Sequence, residues 1–201
     1  MLDNYEINKS TLAIIPVESN ISKIYEHDSN FIINKSVADI INHSCKYFGS
    51  SYVGRYEGAK NILGVSYKLP IIIEETQELI FFPTNSPRLD NCSWISLKNI
   101  NNYIKNDNKV LVNFKNGINL EFDLSIFSFE NQIFRALRLE NILKTTTAGR
   151  KPAGCCHDKK TRTLTEQTAA SFQRTAHDLI VDVNKHFGVL FVLCGSFLQR
   201  I

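Results

Sequence analysis

The sequence predicts an α+β domain built on antiparallel hairpins with two main helices, followed by a tail of different character. Three observations point there. Apolar and polar residues alternate in paired runs around residues 71–82 and 110–124. Apolar residues fall at helical spacing over residues 36–49 and again over 128–143. The composition then changes abruptly after residue 143.

In chain order, residues 5–17 and 23–34 read as two strands, rich in Ile, Tyr and Phe, around polar turns. Residues 36–49 read as a helix. Ser36 suits its N-cap, Asp39 follows three places on, and Gly49 stops it. Its inward stripe is Val37, Ile40, Ile41, Ser44, Cys45 and Phe48. The apolar runs at 71–73 and 79–82 flank the polar EETQE and form a hairpin. In the next hairpin, Val110, Val112 and Phe114 alternate with Leu111, Asn113 and Lys115. Ile118, Leu120, Phe122 and Leu124 follow the turn dipeptide Asn116-Gly117. A two-residue loop would set Phe114 opposite Asn119 and put the two apolar rows on opposite faces. A three-residue loop over 115–117 pairs Phe114 with Ile118 and Val112 with Leu120. The expectation is therefore a bulged turn with Gly117 in the left-handed conformation. Residues 128–143 read as a helix capped by Ser128, with Phe129, Ile133, Ala136, Leu137 and Leu143 inward.

At 201 residues the chain is one domain, or one domain with an appendage, and buries roughly 70% of its unfolded surface. Its 43% hydrophobic and 21% charged residues are ordinary for a globular protein. The opening MLDNYEINKS lacks the features of a signal peptide, and five cysteines without framework spacing fit a reducing compartment. The expected location is cytoplasmic.

The composition divides the chain at residue 143. Residues 1–143 contain 21 Ile and 19 Asn, whereas residues 144–201 contain 2 and 1. Thr plus Ala run the other way, 7 before the seam and 13 after it. The body reads as the product of AT-rich codons and the tail does not. Two domains are expected: a body over 1–143 and a basic tail over 144–201. The tail is either a frame-shifted or fused segment or a rapidly drifting extension. The net charge of +3 divides at the same place. The body has 14 basic and 16 acidic residues, so −2; the tail has 9 and 4, so +5. A polyanionic partner must therefore be read from local clustering in the body.

That clustering occurs in KYFGSSYVGRYEGAK, residues 46–60. Gly49-x4-Gly54-Arg55-Tyr56 misses the phosphate-binding loop, which needs Lys and then Ser or Thr after its last glycine and a buried strand before its first. Gly54-x3-Gly58 reads as turn or close-packing glycines, in a segment too polar for a membrane. Phe48, Tyr52 and Tyr56 form one stripe if the helix resumes after Gly49, and such a stripe is more often core than a ligand platform. Lys46, Arg55, Lys60 and Lys68 flank it, with Glu57 of opposite sign. These cations form either a solvated face or a phosphate-contacting one.

No catalytic residue, metal site or cofactor is expected. His27, His43, Cys45 and Cys92 offer a nucleophile and a base without a local signature that pairs them. Cys155-Cys156-His157, with His177, His186 and Cys194, lacks the Cys-x2-Cys spacing of a zinc site. The apolar HFGVLFVLCGSFL at 186–198 falls short of the ~20 residues of a spanning helix.

The stretch Ser-Cys-Lys-Tyr-Phe-Gly-Ser-Ser-Tyr-Val-Gly-Arg, residues 44–55, resembles the signature of the ComK family of bacterial competence transcription factors. That signature runs close to Ser-Cys-x-Phe-Phe-Gly-Ser-Ser-Tyr-x-Gly-Arg. The likeness extends to Tyr5-Glu6-Ile7-Asn8, Phe81-Phe82-Pro83-Thr84, Cys92-Ser93-Trp94-Ile95-Ser96 and Ser128-Phe129-Glu130-Asn131-Gln132. Ser66-Tyr67-Lys68-Leu69-Pro70-Ile71 is similar to the family's Ser-His-Lys-Pro-Pro-Ile, with Tyr67 and Leu69 departing from it. The resemblance covers residues 5–140 in order, and nothing after residue 143 shares it.

The resemblance implies a transcription activator that binds AT-rich promoter boxes through the DNA minor groove, as paired dimers, and bends the DNA. Its targets would be DNA-uptake genes and its own gene. It implies RNA polymerase as a partner, and an adaptor, MecA, that delivers the protein to the ClpC–ClpP protease. A body of net −2 suits minor-groove readout, which rests on groove width and deformability and needs few cations. The expected DNA-binding residues are Lys46, Arg55, Lys60 and Lys68, around a joint where Phe48 and the tyrosines pack. The family's C-terminal part is associated with activation, so the atypical tail would impair it. The alternative is a non-activating interaction domain that titrates the adaptor or partners.

Overall fold

The computed structural model describes residues 4–148. The chain divides into two units, Met1–Pro152 and Ala153–Ile201, and the second lies wholly outside the described residues. Three strands open the first unit as a meander: β1 (Thr11–Glu18), β2 (Ile21–Glu26) and β3 (Asn30–Ile33). The two long strands expected over 5–17 and 23–34 are corrected to these three. The polar turn at 27–29 breaks the second run, and there the Glu26 amide donates to the Ser29 carbonyl at 2.8 Å. Residues 5–8 join no ladder, although Tyr5 and Ile7 are buried. The Ile7 amide donates to Ser44 Oγ at 3.0 Å instead, and the Tyr5 hydroxyl donates to Glu26 Oε1 at 2.7 Å. Alternating burial marks a strand in sequence even where side chains hold the backbone.

Two helices follow. α1 (Val37–Tyr47) starts as expected, with the Asp39 amide donating to Ser36 Oγ at 3.1 Å. Gly49, at φ +76°, turns the chain out of it. α2 (Tyr52–Leu63) begins almost at once, and it makes three helices among the described residues where two were expected. Ser51 caps it by accepting from the Gly54 amide at 3.1 Å. Two glycines and a narrow buried face, Ala59 and Leu63, obscure this helix in the sequence. Gly54 and Gly58 are therefore exposed helical positions, which corrects the turn reading. A Cβ at Gly58 would meet nothing within 4 Å. Gly58→Ala is expected to stabilise the fold by about 0.5–1 kcal/mol, measured as a higher urea midpoint.

β4 (Ile71–Glu74) and β5 (Leu79–Pro83) form the expected hairpin, with Ile71 opposite Phe81 and Ile72 opposite Ile80. β6 (Trp94–Ser96) joins β5 to β1 and closes a six-stranded antiparallel sheet in the order β3-β2-β1-β6-β5-β4. A second sheet runs β7-β8-β9, from β7 (Ile100–Asn106), β8 (Lys109–Phe114) and β9 (Asn119–Phe122). Its β8–β9 turn is the bulged one expected. Val112 lies opposite Leu120, the Phe114 amide donates to the Ile118 carbonyl at 2.8 Å, and Gly117 has φ +87°.

α3 (Ile126–Ala148) is longer than the expected 128–143. Ser125, not Ser128, caps it: the Ser128 amide donates to Ser125 Oγ at 3.3 Å. Its buried stripe is Phe129, Gln132, Ala136 and Leu139, while Ile133 and Leu137 are half-buried. Gln132 is polar and was passed over; its amide donates to the Pro83 carbonyl at 2.8 Å.

The large sheet is buried on both faces, which explains its unbroken apolar runs. Ile14, Ile71, Ile73, Phe81 and Trp94 pack with Ile40 and Ile41 of α1. Leu12, Ile72, Ile80, Phe82 and Ile95 pack with α2, α3 and the small sheet. A further polar clasp ties α3 to the rest. Glu78 Oε2 lies 2.9 Å from Lys98 Nζ, and Glu78 Oε1 lies 3.2 Å from Lys144 Nζ. Hydrogen bonds from Lys98 and then Lys144 hold the Glu78 carboxyl below its ordinary value of 4.5. A depressed carboxylate stabilises the fold above its unfolded value and stops doing so as pH falls through its folded one. Glu78→Gln is expected to narrow the difference in Tm between about pH 7 and about pH 3.

Candidate nucleic-acid interface

The motif at residues 44–55 folds as a helix–corner–helix. After α1 the Gly49 amide donates to the Lys46 carbonyl at 3.0 Å and the Ser50 amide to the Cys45 carbonyl at 3.0 Å. The Tyr52 amide donates to Asn42 Oδ1 at 3.2 Å, which docks the first turn of α2 against α1. Ser44 and Cys45 face the core. Phe48 and Tyr52 pack against the α1 side of the core and Tyr56 against the other side. The Tyr52 ring centroid lies 6.2 Å from that of Trp94 and 6.1 Å from that of Tyr56. The aromatic stripe is thus chiefly a packing stripe.

Beside it lies a groove of about 420 Å³. Tyr52, Val53 and Tyr56 form its α2 wall; Tyr67 and Lys68 stand on the loop after α2; Pro87 and Arg88 come from the β5–β6 loop. Among its lining residues the charged ones are Lys68 and Arg88, both cations. Lys68 has φ +47°, a strained conformation for a residue other than glycine. Behind Tyr67, Arg135 of α3 holds its guanidinium 4.4 Å from the ring centroid and donates through Nη1 to the Tyr67 carbonyl at 3.0 Å. The Tyr56 hydroxyl donates to the Ser66 carbonyl and ties the loop to α2.

The structure distributes the four expected cations unevenly. Lys68 lines the groove. Lys46 is exposed on the last turn of α1. Lys60 lies 3.4 Å from Glu57 along α2. The Arg55 side chain is 16% exposed, and its Nη1 lies 2.9 Å from Glu75 Oε1. Among the described residues, Lys46, Lys68 and Arg88 enter no salt bridge. Sequence reasoning missed Arg88 and Arg135, because nothing local joins residues 67, 88 and 135.

The residues weighed for catalysis are engaged elsewhere. His43 Nε2 lies 3.0 Å from Glu6 Oε1, and His27 Nε2 lies 3.2 Å from Asn99 Oδ1. Burial pushes the thiols of Cys45 and Cys92 up to about 11, so both are neutral near pH 7. Among the described residues no three of His, Cys, Asp and Glu are grouped to hold a metal ion. No described helix is long and apolar enough to cross a membrane. Cys155, Cys156, His157, His177, His186, Cys194 and the apolar run at 186–198 lie outside the described residues.

Residues 2–148 match the family described as ComK protein. The chain belongs to the ComK family. Over 138 residues it is 36% identical to the competence transcription factor of Bacillus subtilis (strain 168), covering 67% of this chain and 72% of that relative. No solved structure matches it. The ComK match spans the corner, the groove and α3.

Proposed function

We propose that this chain is a competence transcription factor that binds AT-rich promoter boxes through the DNA minor groove and activates DNA-uptake genes. Membership of the ComK family carries this reading, with the named relative a competence transcription factor. The groove beside α2 supports it, since cations without opposing acids suit a phosphate backbone. In this reading Lys68 meets phosphate first, and Arg88 joins it. Lys46 and Lys60 extend the contact along the two helices. Arg55 takes part by exchanging Glu75 for phosphate, so Arg55→Ala weakens binding less than Lys68→Ala. Dimers on paired boxes, RNA polymerase, and MecA with ClpC–ClpP are the partners of the same reading. Residues 1–143 are the binding body, and the basic tail over 144–201 is a divergent or frame-shifted appendage that impairs activation.

A band shift with the full chain on an A-tract promoter duplex tests it, with and without a drug that occupies the minor groove. The expected result is a shift that the drug abolishes. A folded chain that ignores such duplexes at low ionic strength overturns the reading. A shift unaffected by the drug overturns the choice of groove.

A further inference from the structure

Tyr67 is one of several exposed aromatic residues, and it lines the groove. It is 62% exposed, although it sits between two anchored positions. The Ser66 carbonyl before it accepts from Tyr56, and Leu69, two places on, is 1% exposed. Arg135 covers one face of its ring at 4.4 Å. Arg135 favours one placement of the ring, and its second face stays open to solvent. Val53, 66% exposed, stands on the facing wall of the groove. Lys68 follows Tyr67 directly, on a backbone strained at φ +47°. Arg88 completes the groove, and no acid lines it.

A flat aromatic face, backed by Arg135 and beside two cations, fits one class of occupant. It needs a planar apolar group that repeats next to negative charge. A nucleobase flanked by phosphates meets both conditions, whereas an acidic peptide meets only the charge. We infer that Tyr67 is the base-contacting residue of this groove: its open face stacks on a base at one step of the bound duplex and partly unstacks that step. Val53 supports the same step from across the groove, and Lys68 and Arg88 hold the phosphates on either side. Apolar side chains that enter a base step act in this manner and bend the duplex. The inference rests on the DNA-binding reading above.

The test uses the full chain and an AT-rich duplex, with permanganate oxidation reporting unstacked thymines. Wild type and Tyr67→Phe are expected to bind equally and to make thymines in the box reactive. Tyr67→Ala is expected to bind about tenfold more weakly and to lose the thymine reactivity. Its salt slope should stay unchanged, because the phosphate contacts remain. The exposure of Tyr67 predicts an unchanged urea midpoint, which separates this result from unfolding. Unchanged affinity and reactivity in Tyr67→Ala overturn the inference and leave the DNA reading standing. So does an acidic peptide whose binding is lost in Tyr67→Ala while DNA binding is intact. Failure of wild type to shift any duplex overturns the DNA reading instead.

Discussion

Phe129→Ala is expected to remove about 3–5 kcal/mol of folding free energy. Phe129 is fully buried, and its ring centroid lies 5.7 Å from that of Phe82 and 5.0 Å from that of Tyr103. It therefore joins α3 to a strand of each sheet. Two effects add when it is truncated. The apolar surface of the ring loses its burial, and three elements from separate parts of the chain cannot collapse into the void together. Domains of this size hold about 5–15 kcal/mol in all, so the variant sits close to unfolding. Urea titration measures it, and Phe129→Leu separates shape from hydrophobicity: it should recover much of the loss by refilling the space. A Phe129→Ala midpoint equal to wild type would mean that α3 does not pack here.

The second large effect is on binding. Lys68→Ala combined with Arg88→Ala is expected to weaken binding to an AT-rich duplex roughly a hundredfold, from two charged contacts at about 1.5 kcal/mol each. The plot of log affinity against log salt should flatten by about two units, one for each phosphate released. Lys109→Ala is the control. That side chain is paired with Glu121 at 2.7 Å, away from the groove lining, so its loss should change neither quantity. Neither Lys68 nor Arg88 has a salt-bridge partner among the described residues, so their removal strands no buried charge. A double variant with wild-type affinity and slope would move the interface off this groove.

Family membership was legible because the motif at residues 44–55 is a local object. Ser44 and Cys45 face the core, Gly49 turns the chain and Ser51 caps the next helix, all within twelve residues. The same locality made the β8–β9 turn readable. Side chains in a strand alternate faces, so one residue more or less in the loop inverts the whole apolar row, and only three residues place Val112 opposite Leu120. α1 was readable from its cap and its stripe. α2 was not, because its glycines weaken the helical signal and its stability comes from packing at Ala59 and Leu63.

The sequence by itself therefore determined the α+β class, both hairpins, α1, the β8–β9 register and the family. Each rests on residues a few places apart, where backbone geometry limits the choices. Only the tertiary structure decided which cations share a site. It drew Arg55 toward Glu75, and it gathered Tyr67, Lys68 and Arg88 with Arg135 behind them. Charge and aromatic character are written in the chain, but their convergence depends on how α2, α3 and two loops pack around one sheet, and no spacing rule carries that distance.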